Sequence, residues 1–482
     1  TSYQRRQMGG WQLSPYELDG DTVILSKREA SSRFYSNIVN QHFTYSPTKQ
    51  LKLYAQGGYF DRKVIRPVEK TKNDGGYTYD LTYMDYNIGA GGRYQLNETD
   101  YLSLDFYVDN YEYNKLYTVA QVSKKDTTFR VGDEELTKRQ KYYNANLKGV
   151  FKLGNYNKIS LGTEYTNDYM KNPGNLEKPE GIYTLAIYAQ DEIRLWKNLQ
   201  ILPGFRYVYN EMFKNSFTPK IALMYTLGNF NFRASYAAGF KTPSIQELYY
   251  DYENRGAITV GNPDLKPEKA NYYNINVEYA GKYLNISANG YINDVKDIIE
   301  KYDIGATDEE KANGIKTHNM YQNLDKASIK GFDISANSYL GAGFSAAGSY
   351  NCVYAADDSG HRLSESVRHA ATFRAGWSHE WNKYTLRANV NGRIQGSKYI
   401  YKKTTDKKTG EDIYTDVSAP KYQLWNFATT HTFAPVGNFL FEINAGIDNL
   451  FDWTDDRPSG VNYATLNPGR TLFASLIIRF TK

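Results

Sequence analysis

Apolar and polar residues alternate along most of this chain. In 101–109, Leu102, Leu104, Phe106 and Val108 fall on one face, and Ser103, Asp105, Tyr107 and Asp109 on the other. The same period of two recurs in 283–289, where Leu284, Ile286 and Ala288 alternate with Asn285, Ser287 and Asn289. In 384–391, Leu386, Ala388 and Val390 alternate with Arg387, Asn389 and Asn391. Successive side chains of a strand point to opposite faces, so each segment is a strand with one apolar and one wet face. The pattern predicts about 19 strands, most of about 9 to 15 residues, a length that suits a tilted membrane span.

The connections sort into two classes. Tight ones are Ser46-Pro-Thr-Lys-Gln50, Leu153-Gly-Asn-Tyr-Asn157, Leu227-Gly-Asn-Phe230, Ala280-Gly-Lys-Tyr283 and Ala434-Pro-Val-Gly-Asn438. Between them lie long polar stretches at 121–138, 244–266, 303–318, 399–421 and 452–469. Short turns at one end and long loops at the other are the mark of an outer-membrane barrel, with apolar residues facing lipid and polar ones the lumen. The fold class is therefore all-β, a transmembrane antiparallel barrel forming a single domain over 1–482.

Direction adds a second expectation. The last strand, Thr471 to Phe480, ends in an aromatic; if it descends to the periplasm, every long loop is extracellular and every tight turn periplasmic. The strand at 33–45 then descends as well, which puts 1–32 in an extracellular loop. A complete bacterial barrel starts in the periplasm and has an even strand number. An N-terminal part with about three strands is therefore expected to be missing, and would bring the total to about 22, the size of plugged transporters. Unpaired backbone is costly in lipid, so the edge of 33–45 calls for a partner segment in the assembly, from the missing strands or on a separate polypeptide.

Composition fits this picture. Tyrosine stands at 46 and aromatics at 15%, as the aromatic girdles of a membrane barrel require. A mean hydropathy of −0.66 reflects a polar lumen and polar loops, and no stretch is apolar enough for a membrane helix. The single cysteine, Cys352, excludes an internal disulfide framework. A net charge of +5 with interspersed signs gives no nucleic-acid surface. Thr1-Ser-Tyr-Gln-Arg is not the start of a signal peptide, so the chain reads as mature, trimmed or a fragment.

Two boxes carry a resemblance. Ala238-Gly-Phe-Lys-Thr-Pro-Ser-Ile-Gln-Glu-Leu-Tyr249, followed by Gly261-Asn-Pro-Asp-Leu-Lys-Pro-Glu268, resembles the TonB-dependent outer-membrane receptors. The box residues are Phe240, Lys241, Thr242 and Pro243, then Asn262, Pro263, Asp264 and Leu265. Ile187 to Glu192, Asn323 to Asp333, and Gly446 to Asp452 with Asn467 to Thr471 are similar to the same family, in family order. The resemblance implies a 22-stranded barrel with an N-terminal plug, residing in the bacterial outer membrane. It implies uptake of a scarce large solute (an iron chelate, haem or a corrinoid) driven by TonB through the region absent from this chain. Partners would be the plug, the membrane with its lipopolysaccharide, and a surface lipoprotein. A passive porin and an outer-membrane enzyme are the rival classes.

Pro243 and Pro263 cannot donate to a ladder, so they mark strand ends, and loop geometry is the plainer reading of both boxes. Between them, Tyr249, Tyr250, Tyr252, Asn254 and Arg255 form an aromatic and charged extracellular stretch able to stack on or pair with a planar anionic ligand. Haem receptors of the family place a histidine in this interval; here none lies between Phe240 and Leu265. His318 belongs to the next extracellular loop and joins the candidate ligand residues. The six histidines are dispersed, no metal-ligand spacing appears, and no cofactor is expected. Asp452, Asp455 and Asp456 lack a calcium-loop spacing. Gly341-Ala-Gly343 reads as a tight turn, and Lys402-Lys403 and Lys407-Lys408 as a solvated loop tip. No catalytic constellation appears, so the chain is not read as an enzyme.

Overall fold

Strand pairing begins at the first residues of the chain. In the computed structural model, the residues described are 1–11, 16–19, 22–25, 31–67, 78–122, 128–254, 256–363, 366–405, 412–454, 467 and 469–480. Ser2–Met8 is a strand, antiparallel to Arg33–Tyr45 from Ser2 opposite Asn40 to Met8 opposite Phe34. The expectation that 1–32 is wholly extracellular loop is corrected here. The segment Ser-Tyr-Gln-Arg-Arg-Gln-Met is polar on both faces, so it carries no hydrophobic alternation. It is held instead by its ladder and by polar contacts: Tyr3 Oη donates to Asn37 Oδ1 at 3.0 Å, and the Arg5 guanidinium lies over the Tyr35 ring at 5.4 Å. Trp11 and Ser31 exchange backbone hydrogen bonds, and Tyr16–Asp19 pairs with Thr22–Leu25 as a hairpin beyond them.

From residue 33 onward the described wall contains nineteen strands, each antiparallel to its chain neighbour, ending at Thr471–Phe480. They belong to one 22-stranded sheet, which also takes in Ser2–Met8 and a small hairpin at the long-loop end. The lengths are uneven. Leu284–Asp303 and Thr317–Gly341 run for 20 and 25 residues, whereas His369–Trp381, Tyr384–Gln395 and Tyr422–Phe433 run for 13, 12 and 12. A tilted span needs about 9 to 11 residues, so the long strands rise well above the apolar band and the short ones barely do.

The alternation holds face by face. Leu104, Phe106, Leu147, Leu161, Ile187, Phe205, Ile221, Phe232 and Ile275 share the outer face and are 40% to 67% exposed, the apolar surface a lipid-facing wall presents. The opposite face is polar and paired: Arg206 with Glu164 at 2.8 Å, Arg233 with Glu278 at 2.8 Å, and Thr430 Oγ1 donating to Asn444 Oδ1 at 2.7 Å. Several luminal tyrosines lie flat over a glycine of the adjacent strand. A Cβ at Gly162 would stand 2.5 Å from Tyr188 Oη, and one at Gly331 would stand 2.5 Å from Tyr291 Oη.

At the tight-turn end, Gly341-Ala-Gly343 turns with all three residues at positive φ. Of the long connections, 303–318 holds a one-turn helix, Asp308–Ala312, and 399–421 holds the hairpin Lys398–Thr405 with Asp412–Ala419. Asp455 and Asp456, in 452–469, and Lys407-Lys408 lie outside the described residues. No helix among the described residues is long and apolar enough to cross a membrane, and none of their His, Cys, Asp and Glu side chains group as metal ligands would.

Candidate extracellular binding site

The two boxes fold against each other at the long-loop end of the wall. Strand Phe230–Lys241 ends at the first box, where Pro243 interrupts the ladder, and Ser244 then caps the short helix Ile245–Tyr249. The cap is reciprocal: the Glu247 amide donates to Ser244 Oγ, and Ser244 N donates to Glu247 Oε2 at 2.7 Å. Lys241 Nζ lies 2.9 Å from Glu268 and 3.5 Å from Glu247, tying both boxes to the strand ends that carry them.

Asn262 organises the second box. Its amide donates to Glu247 O at 2.8 Å, its Nδ2 to Tyr321 O at 2.9 Å, and its Oδ1 accepts from Asp264 N at 2.9 Å. Pro263 and Asp264 are exposed at the turn, while Leu265 points inward. Gly261 passes so close to the helix that a Cβ there would stand 2.5 Å from the backbone of Leu248 and Tyr249. Ile245, Leu248 and Leu265 pack with Met170, Leu176, Ile182 and Ile299 into a buried apolar cluster, in which Leu248 is 1% exposed. This small core sits where a barrel would otherwise be open, and it fixes the loops as one body.

The candidate residues between the boxes divide. Tyr249 and Tyr250 pack against this cluster, their hydroxyls 3.5 Å from Met212 Sδ and 3.2 Å from Met170 Sδ. Burial pushes the Tyr249 phenol up from its ordinary pKa, and Asn172 Nδ2 donates to Tyr250 Oη at 3.0 Å. Tyr252 lies in the strand Asp251–Asn254 and remains 37% exposed. Asn254 closes that strand, and Arg255 lies outside the described residues.

His318 is brought to the same body. Ala257–Val260 pairs in parallel with 317–320, Ile258 opposite His318, and Lys316 N donates to Gly256 O at 2.6 Å. His318 Nδ1 lies 2.8 Å from Glu310 Oε1. That carboxyl is held below the usual carboxylate range by the Thr307 amide and by His318. Loops 244–266 and 303–318 are thus zipped together by a parallel ladder, and the Glu310–His318 contact braces 303–318 within itself.

Beneath this roof a cavity of about 740 Å³ opens on the luminal face. Thr242, Pro243, Ser244 and Ile245 of the first box line it from above. Its wall is Asp85, Tyr111, Lys138, Tyr142 and Asp168, all toward the long-loop ends of their strands. The Lys138 ammonium lies 5.6 Å over the Tyr111 ring, and Tyr107 and Tyr142 rings are 6.5 Å apart. Aromatic faces, amides and charges of both signs around such a volume suit a solute larger than a sugar or amino acid, held by stacking and ionic contacts. These wall residues were not singled out by sequence reasoning. Their signal, Tyr, Asp and Lys on the polar face of a strand, is shared by the whole lumen.

Residues 10–450 match the family model described as TonB dependent receptor-like, beta-barrel. A ferric enterobactin receptor of Pseudomonas aeruginosa is 24% identical over 380 residues, 68% of this chain and 49% of that protein. The chain therefore spans about half the length of that curated relative. Among solved structures, a mutant of the ferric enterobactin receptor PfeA of Pseudomonas aeruginosa has a TM-score of 0.73 at 16% identity, covering 94% of this chain and 70% of that one. The siderophore receptor PirA of Acinetobacter baumannii has a TM-score of 0.73 at 16% identity, with 94% and 71% covered. The copper transporter OprC has one of 0.71 at 13% identity, with 99% and 75% covered. These structural likenesses speak for the fold. With the family model spanning nearly the whole wall, and both boxes joined at its mouth, the chain belongs to the TonB-dependent receptor β-barrel family of the Gram-negative outer membrane.

Proposed function

We propose that this barrel is the membrane part of an energised uptake receptor whose solute is a siderophore-type iron chelate. The observation that carries the reading is the roofed mouth cavity of about 740 Å³, into which the first family box projects. Relatives named as ferric enterobactin and siderophore receptors support a chelate ahead of haem or a corrinoid. The missing histidine between Phe240 and Leu265 points the same way.

In this reading the solute enters from outside and stacks on Tyr111 and Tyr142, and Lys138 meets its polar groups. Tyr249 and Tyr250 act through the apolar cluster, holding Thr242 to Ile245 over the cavity, while Tyr252 and His318 stand on the loop body around it. A plug within the lumen, drawn from the periplasm by TonB, then opens the path. Net movement needs a difference in affinity between the closed and open states, which the energised partner supplies. The family contains receptors and transporters, and no bond is made or broken in this scheme.

The test is uptake of a radiolabelled ferric siderophore by cells carrying the full-length receptor in an iron-starved background. Uptake that needs both TonB and Lys138, Tyr111 and Tyr142 supports the proposal. Uptake that persists without TonB would make the barrel a passive pore.

A further inference from the structure

A second cavity, of about 480 Å³, opens on the luminal face between Thr317–Gly341 and Tyr422–Phe433. Register fixes its inward-facing lining as neighbouring rungs. Ala347, Arg374 and Asn391 stand abreast on one, and Ser349, Thr372 and Arg393 on the next toward the long-loop end. Asn391 pairs with Asn426, which shares a face with the luminal Thr430. The side chains around the two arginines are small, so a hollow forms there, and both arginines are exposed in it.

Elsewhere on the luminal face Arg206 and Arg233 are each matched by a glutamate. Here no carboxylate meets either arginine among the described residues. Arg374 donates only through Nε, to Asn391 Oδ1 at 2.8 Å, and Arg393 only through one terminal nitrogen, to Gln395 Oε1 at 2.8 Å. Asp333, one rung higher, is already engaged by Asn351 and Asn289. Arg374 and Arg393 are diagonal neighbours on adjacent strands, about 7 Å apart at Cβ, so the two positive charges repel with only amides and hydroxyls around them. An oxyanion lying between them would relieve that repulsion and take up the spare N–H groups of both forks.

We infer that this hollow is an oxyanion station on the luminal wall, where the anionic oxygens of a polyanionic chelate are held between Arg374 and Arg393 during passage. The inference rests on the uptake reading above and narrows it to solutes of negative charge. A guanidinium offers paired donors in a rigid plane, which suits the adjacent oxygens of a carboxylate or catecholate. A cationic chelate finds no acidic partner on these two rungs and gains nothing there. The descent of an anionic solute is thereby drawn to the short-strand wall, away from the Tyr188 and Tyr291 side of the lumen.

The test is a phenylglyoxal footprint of the purified full-length receptor, with modification of Arg374 and Arg393 followed by peptide mass spectrometry. Three additions are compared: an anionic ferric tricatecholate or tricarboxylate, a cationic amine-bearing ferric trihydroxamate, and millimolar phosphate. An anionic chelate alone should slow modification of both arginines about tenfold. In cells, R374Q/R393Q should raise the KM for uptake of that chelate about tenfold, with heat-modifiable migration intact and trihydroxamate uptake unchanged. Absent protection, equal protection by the trihydroxamate or by phosphate, or arginines already unreactive before any addition would each overturn the station. TonB-dependent uptake that ignores the double variant also overturns it and leaves the uptake reading standing. Uptake that needs no TonB overturns the uptake reading, and the footprint then decides the station by itself.

Discussion

The two ends of the Leu284–Asp303 to Tyr422–Phe433 arc solve different problems with the same strand chemistry. Leu284–Asp303 and Thr317–Gly341 run for 20 and 25 residues, and the long-loop end of the second carries Ala257–Val260 as an added parallel strand. Strands 369–381, 384–395 and 422–433 run for only 13, 12 and 12 residues, and the last two are joined by the separate hairpin Lys398–Thr405 with Asp412–Ala419. The tall side builds a second, buried core at the long-loop end; the low side carries only a two-stranded hairpin there. The period of two says where a strand faces, but its height depends on what its upper end packs against.

The largest effect should come from the second core. Leu248→Ala removes its most buried side chain and should cost the loop body about 2 to 5 kcal/mol. Hydrogen exchange should rise across 244–266 and 303–318 and stay unchanged over 369–433; a uniform rise would erase the distinction between the two sides. Next in size, Leu104→Arg and Phe373→Arg should each cost about 2 to 4 kcal/mol if near the bilayer midplane, because lipid thickness is the same around the barrel. Urea unfolding in vesicles would show it, and wild-type stability of Leu104→Arg would reverse the facing assigned here. Ser244→Ala, which breaks the reciprocal cap, should cost about 1 kcal/mol and show as earlier proteolysis within 244–266.

The smallest expected effect is a pH dependence confined to the tall side. Glu310 has a lowered pKa, so its contribution is present above the ordinary carboxyl value of about 4.3 and fades as pH falls through its lower folded value. Exchange protection at 303–318 should therefore drop at acid pH in the wild type and show a weaker pH dependence in Glu310→Gln. Identical profiles would remove the Glu310–His318 contact from the latch.

Much of the barrel was legible from residues alone. Leu102 to Asp109 alternate without a break, and the strand count from residue 33 onward follows from such runs. Ser2–Met8 was not legible, because its side chains are polar on both faces and its pairing is carried by backbone. The boxes were legible as turns through Pro243, Gly261 and Pro263. Their shared core was not, since Met170, Ile182 and Ile299 come from three other strands and read locally as ordinary wall. The mouth cavity shares this difficulty: Asp85, Lys138 and Asp168 look like any luminal residue until the roof above them is placed.

The glycines beneath Tyr188 and Tyr291 stiffen the luminal face. A ring seated in the space of an absent Cβ has few rotamers left, so the clear width of the bore at Gly162 and Gly331 is set by backbone rather than by swinging side chains. The side-chain entropy of that wall was already surrendered when the barrel folded. At these points the luminal face is a smooth, rigid lining.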